Sequence, residues 1–102
     1  MPEKAIMKRN LKFTFRANID TIVAYEFYES RPKNLGERFL DELENCYKSI
    51  VLNYTTYKVV HKIYRQAVVK KFPFVILYSV DEKDIIITAV FSTSEDPSKK
   101  FK

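Results

Sequence analysis

Glycine, cysteine and histidine each occur once in the 102 residues, and tryptophan does not occur at all. The lone Cys46 excludes an internal disulfide, and Cys, His and carboxylates show no metal-ligand spacing. With Gly36 as the only glycine there is no Gly-rich phosphate loop, and no nucleophile elbow or metal motif accompanies it. No apolar run approaches the ~20 residues that cross a bilayer. The first residues, Met1-Pro2-Glu3-Lys4, lack the apolar region of a secretory signal. These absences predict a soluble, cytoplasmic protein with no disulfide, no metal, no cofactor and no membrane partner. Cys46 reads as a core thiol rather than a nucleophile, because free cysteine is among the most buried residue types.

What is present is a well-stocked apolar core. A hydrophobic fraction of 46%, with 15% aromatics, excludes a disordered chain. The length suits a single domain over 1–102, with 1–10 and 98–102 expected as flexible tails. Charge is strongly segregated. Residues 17–45 carry seven acidic and three basic side chains, whereas 46–80 carry six basic and no acidic ones. An acidic segment followed by an acid-free basic one implies a basic face, which attracts phosphate or an acidic protein partner. The rival reading is a lysine-rich surface that serves solubility alone.

Along the chain, Leu11 to Phe15 alternates apolar and polar side chains, as a half-buried strand does. From about Ala17 to Glu29, with Asn18 as a possible cap, Ile19, Ile22, Val23 and Phe27 recur at helical spacing. Ser30-Arg31-Pro32 ends that helix, because the residue before a proline is pushed out of the α region. Asn34 and Glu37 read as a capping box for a second helix ending near Asn53, with Phe39, Leu43, Cys46 and Ile50 as its apolar stripe. A second strand, which Val59-Val60 could begin, is expected from Ile63 to Val69, with Ile63, Arg65, Ala67 and Val69 on one face. Phe72 to Phe91 then forms two apolar strands around a turn at Asp81-Glu82-Lys83-Asp84. Pro73 belongs at a strand start or a bulge, since it donates no ladder hydrogen bond.

The predicted fold class is α+β, a two-helix hairpin packed on one face of a small antiparallel sheet in β-α-α-β-β-β order. Phe13, Ile22, Val23, Phe39, Leu43, Ile76 and Ile87 are the expected core.

Several ordered pieces carry a resemblance. They are Arg65, Lys70-Lys71, Phe72-Pro73-Phe74, Tyr78, the acidic turn at Asp81-Glu82 and Ala89-Val90-Phe91. Phe27-Tyr28 and Leu35-Gly36-Glu37-Arg38-Phe39-Leu40 precede them. Over about residues 11–97 the chain resembles the RelE/ParE superfamily of toxins from bacterial type II toxin–antitoxin systems. The resemblance implies a growth inhibitor neutralised by a cognate antitoxin, in a toxin–antitoxin hetero-oligomer, and of the kind that stabilises plasmids. The target it implies is DNA gyrase in the ParE branch, or messenger RNA on the ribosome in the RelE branch.

A metal-independent ribonuclease must activate a 2′-hydroxyl, stabilise charge at phosphorus and protonate the leaving oxygen. On that reading Arg65 and Tyr78 are the catalytic candidates. Arg65, Lys70 and Lys71 are the phosphate- or partner-binding candidates, with Tyr64 an alternative stacking residue. The rival role for Arg65 is an ion pair with Glu42 or Glu44, and for Tyr78 a core aromatic. His61 reads as a solvated side chain. Where many family members carry a histidine and an arginine after the last strand, this chain carries Ser92 and Glu95. The substitutions tilt the expectation toward gyrase poisoning or loss of toxicity and away from RNA cleavage.

Overall fold

The computed structural model describes residues 9–93. The predicted features at Glu95 to Pro97 and in most of both tails lie outside the described residues.

Strand β1 (Asn10–Phe13) leads into helix α1 (Phe15–Glu29) and helix α2 (Leu35–Asn53). Four strands follow: β2 (Lys58–His61), β3 (Tyr64–Val68), β4 (Phe74–Val80) and β5 (Asp84–Ser92). They form one sheet in the order β1-β5-β4-β3-β2. The α+β class and the position of both helices on one face hold, with two corrections. The sheet is mixed, because β1 pairs parallel to β5 with Phe13 beside Ile87. The expected second strand is two strands. Lys62 adopts a left-handed φ of 51° and folds β2 back antiparallel on β3, leaving Ile63 exposed in the turn.

Local chemistry explains the boundaries. Helix α1 starts at Phe15, earlier than its apolar spacing suggests, because the Thr14 hydroxyl accepts from the Ala17 N–H at 3.0 Å. The capping box at α2 does not form. Asn34 sits at the cap with φ 56°, and its side chain caps nothing. A cap needs an extended backbone to aim its oxygen at the first free amides, and the left-handed conformation turns it away. Pro73 immediately precedes β4, as expected. At the β4–β5 turn the Asp81 carboxylate accepts from the amides of Lys83 (2.9 Å) and Asp84 (2.7 Å). Those two bonds hold its pKa below the ordinary value.

A bulge in β5 sorts the core. Leu77 pairs with Ala89 but Tyr78 pairs with Ile87, so Thr88 is the extra residue. It shifts the alternation by one, and Ile85, Ile87 and Val90 all face the helices. There they meet Ala17, Ala24, Phe39, Leu43, Cys46 and Ile50, together with Ala67, Val69, Ile76 and Tyr78. Val75, Leu77, Ala89 and Phe91 form a second buried cluster on the other face, with Val60 and Tyr64 against it.

Four of the seven expected core residues, Phe39, Leu43, Ile76 and Ile87, are buried. The other three are not: Phe13 is 41%, Ile22 50% and Val23 62% exposed. Helix α1 instead turns Ala17 and Ala24 inward. Small side chains let its backbone lie close to the sheet, and the larger apolar stripe is left outside.

Beyond Ile87 strand β5 has no β1 residue beside it. Helix α1 closes that edge: the Thr14 hydroxyl donates to the Thr88 carbonyl (2.9 Å), and the Asp20 carboxylate accepts from the Val90 N–H (3.0 Å). The same carboxylate holds Arg16 at 3.2 Å. Asp20→Ala should therefore lower stability by about 1–3 kcal/mol, since it leaves a part-buried amide unpaired. Urea unfolding measures the loss, and hydrogen exchange should speed up at Val90 first. An exchange rate unchanged there would remove this latch from the account.

Candidate functional site

The basic, acid-free segment 46–80 builds β2, β3, β4 and the connection from α2 into them. Arg65 and Tyr78 are cross-strand partners on β3 and β4, so both point to the helix side of the sheet. Tyr54, Thr55 and Tyr57, in the α2–β2 connection, lie above them. The Arg65 guanidinium donates to the carbonyls of Tyr57 (2.7 Å) and Thr55 (3.2 Å). Tyr78 is fully buried and its hydroxyl donates to the Tyr54 carbonyl at 2.8 Å. The Tyr57 ring stands edge-on to the Tyr78 ring, and its hydroxyl shares a 2.6 Å hydrogen bond with Ser49 of α2. Arg9 reaches the same connection from the start of β1, stacking over the Tyr54 ring and bonding its hydroxyl. Four side chains, Arg9, Ser49, Arg65 and Tyr78, thus converge to pin the 54–57 connection.

This arrangement fixes what each predicted residue can do. Arg65 has neither Glu42 nor Glu44 as its partner; its Nη1 donates to backbone carbonyls instead. Burial pushes the Tyr78 hydroxyl up to about 12, although the nearby Arg65 opposes the shift, so Tyr78 keeps its proton through neutral pH. Lys71 adopts a left-handed φ of 70° in the β3–β4 turn, and its ammonium lies 3.8 Å from Glu42. Lys70 lines a cavity of about 270 Å³ with Glu42, Asn45, Cys46, Ser49, Tyr57 and Val68. Arg65 and Tyr78 are therefore brought together beneath the connection, while the two lysines stand at the opposite end of β3. Burial raises the Cys46 thiol to about 11, in keeping with a core thiol. Ser92 ends β5 beside the groove described next.

Two features were not legible in the sequence. A groove of about 590 Å³ runs between α1 and the ends of β4 and β5, lined by Val23, Phe27, Tyr28, Phe74 and Phe91 among others. A larger one of about 750 Å³ separates β1 from α2, with Leu11, Tyr47, Val51 and Leu52 as its apolar walls. Both depend on how the helix pair sits over the sheet. No spacing within a single element signals either one.

The buried tyrosines give the cluster a pH dependence of known sign. Tyr47, held by α2, is also raised to about 12 by burial. Both hydroxyls ionise more readily in the unfolded chain, near the ordinary value of 10.0, than in the folded one. The unfolded state then binds fewer protons, so stability falls as pH rises through that interval. Urea midpoints should show the full contribution below pH about 10 and a loss between about 10 and about 12. Tyr78→Phe should flatten part of that slope. A slope unchanged by this substitution would place the titrating group elsewhere.

A family model described as the ParE toxin of type II toxin-antitoxin system, parDE, matches residues 11–97. No curated protein matches the chain. Among solved structures, the chromosomal ParDE toxin–antitoxin system from P. aeruginosa superposes with a TM-score of 0.74 at 17% identity, over 84% of this chain and 97% of that one. The E. coli DinJ-YafQ toxin–antitoxin complex superposes with a TM-score of 0.57 at 16% identity, over 85% of this chain and 94% of that one. YafQ from E. coli strain BL21(DE3) gives 0.53 at 17% identity, over 85% and 96%. At these identities the structures bear on the fold, and the family match spans nearly the whole sequence. The chain belongs to the ParE toxin family of type II toxin–antitoxin systems, within the RelE/ParE superfamily.

Proposed function

We propose that this toxin acts on a protein target, DNA gyrase, and is held inactive by a cognate antitoxin. The observation that carries the reading is the commitment of the best ribonuclease candidates to structure. RNA cleavage needs a free charge donor at phosphorus and a group that can exchange a proton near neutral pH. Arg65 is anchored through one terminal nitrogen, Nη1, to the Thr55 and Tyr57 carbonyls beneath the 54–57 connection, and Tyr78 is buried with its proton held. Poisoning by binding needs no general base, and Ser92 standing where relatives carry histidine is consistent with that. Membership in the ParE family supports the same choice.

The second reading, a ribosome-dependent messenger RNA endoribonuclease, has its own support. Lys58, Lys62 and Lys70 are exposed and form no ion pair among the described residues. They would give phosphate a landing surface along the β2–β3 hairpin. The same lysines offer an antitoxin a surface for acidic side chains, and reversing their charge would slow that association. The deciding experiment runs purified toxin in a gyrase supercoiling assay and in a reconstituted translation system. Loss of supercoiling with intact message supports the proposal. Message cut in a ribosome-dependent way would replace it with the second reading, and inertness in both would identify a chain that retains only antitoxin binding.

A further inference from the structure

Among the described residues, helix α1 carries an apolar stripe that the fold leaves 40% or more open, with the Arg31 guanidinium over the Phe27 ring at one end. Phe15 is 80% exposed, and Ile19, Ile22, Val23 and Phe27 are between 40% and 62% exposed. Phe15, Ile19, Val23 and Phe27 follow each other at four-residue intervals, a continuous ridge about 18 Å long. Leaving such a ridge in water forgoes the burial that ordinarily holds a helix in place. The stripe therefore calls for an occupant.

Its layout says which one. Phe15 and Phe27 lie equally far from position 21, and so do Ile19 and Val23. Arg16 and Glu26, the charges on the same face of the helix as the stripe, are also equidistant from position 21 and opposite in sign. An antiparallel copy of α1 crossing at the level of Thr21 would set Phe15 against Phe27, Ile19 against Val23 and Arg16 against Glu26, twice over. Asp20 does not interfere, because its carboxylate is turned to the sheet and accepts from the Val90 N–H. Arg16 donates its Nε to Asp20 and keeps its terminal nitrogens for a second carboxylate. Glu26 is exposed and has no ion pair among the described residues. We infer that α1 is the isologous interface of a homodimer, closed by two Arg16–Glu26 pairs between protomers. A helix from an unrelated partner would need apolar residues on this stripe, but it would not need the two-fold placement of apolar and charged positions.

One helix face is small beside the ~1,600 Å² of a standard interface, so the dimer should be concentration-dependent. Sedimentation equilibrium of the purified full-length chain between about 1 and 100 μM brackets the affinity expected of a small interface. The expected result is a monomer–dimer equilibrium that Val23→Glu abolishes. Arg16→Glu and Glu26→Arg should each weaken self-association by about tenfold or more, through like charges brought face to face. Mixing these two variants should restore a dimer, because every facing pair is again of opposite sign. Val23 is exposed, so its substitution leaves the core intact and decides the question alone should Arg16→Glu fail to fold. A chain monomeric throughout, or a dimer indifferent to Val23→Glu, would overturn the inference. So would two folded variants whose mixture stays monomeric. A monomer whose stripe becomes protected from hydrogen exchange only when an antitoxin is bound would assign the stripe to that partner instead, which also overturns it.

Discussion

Truncating Leu43 or Ile76 to alanine should cost about 2–5 kcal/mol of stability, the range measured for large-to-small changes in packed cores. Leu43 is 2% exposed and Ile76 not at all. The two belong to one cluster, in which α2 is pressed against the helix side of β4. Alanine removes three carbons in each case, and neighbours such as Phe39 and Ile87 are too tightly held to fill the gap. The control lies on the same helix pair. Val23→Ala sits on the exposed stripe of α1 and should shift the urea midpoint of the monomer only slightly, within about 0.5 kcal/mol. Equal losses at Leu43 and Val23 would mean that the stripe is covered within the monomer.

Arg65→Ala should be the most informative single change at the candidate site. Removing the guanidinium leaves the Thr55 and Tyr57 carbonyls without their donor and releases one of the four side chains that pin the 54–57 connection. The expected loss is about 1–3 kcal/mol, read by urea unfolding. If the target is gyrase, inhibition of supercoiling should fall only in proportion to the unfolded fraction. If the protein cuts message on the ribosome and Arg65 binds the phosphate, the rate should fall ~100-fold or more with the protein still folded. A fall of that size in a folded variant would overturn the protein-target proposal.

Much of this protein was legible in its sequence. Alternation at Leu11–Phe15 predicted a strand, which ends two residues earlier at Phe13, and the Phe39, Leu43, Cys46, Ile50 stripe predicted both α2 and the face it buries. The apolar runs on either side of Asp81–Asp84 predicted β4 and β5 as a pair. Such signals are local, since each comes from one element's period meeting one apolar surface. The ordered motifs from Arg65 to Phe91 pointed to the superfamily for a related reason: they are the residues that build the central strands.

Where the sequence fell short, the decision rested on contacts between distant segments. Ile19, Ile22, Val23 and Phe27 have helical spacing, and spacing alone names that stripe as the buried one. Tertiary packing chose Ala17 and Ala24 instead, because close approach of α1 to β5 lets Asp20 and Thr14 satisfy the strand's open edge. Likewise Arg65 and Tyr78 are chemically suited to phosphate and proton transfer. Only the fold brings the 54–57 connection over them and turns both toward its carbonyls. Hydrophobic period and turn chemistry are written within a dozen residues of chain and so determined the elements. Which apolar face stays in water, and which polar groups are left free to act, depends on how separate elements pack against one another, or on another chain entirely.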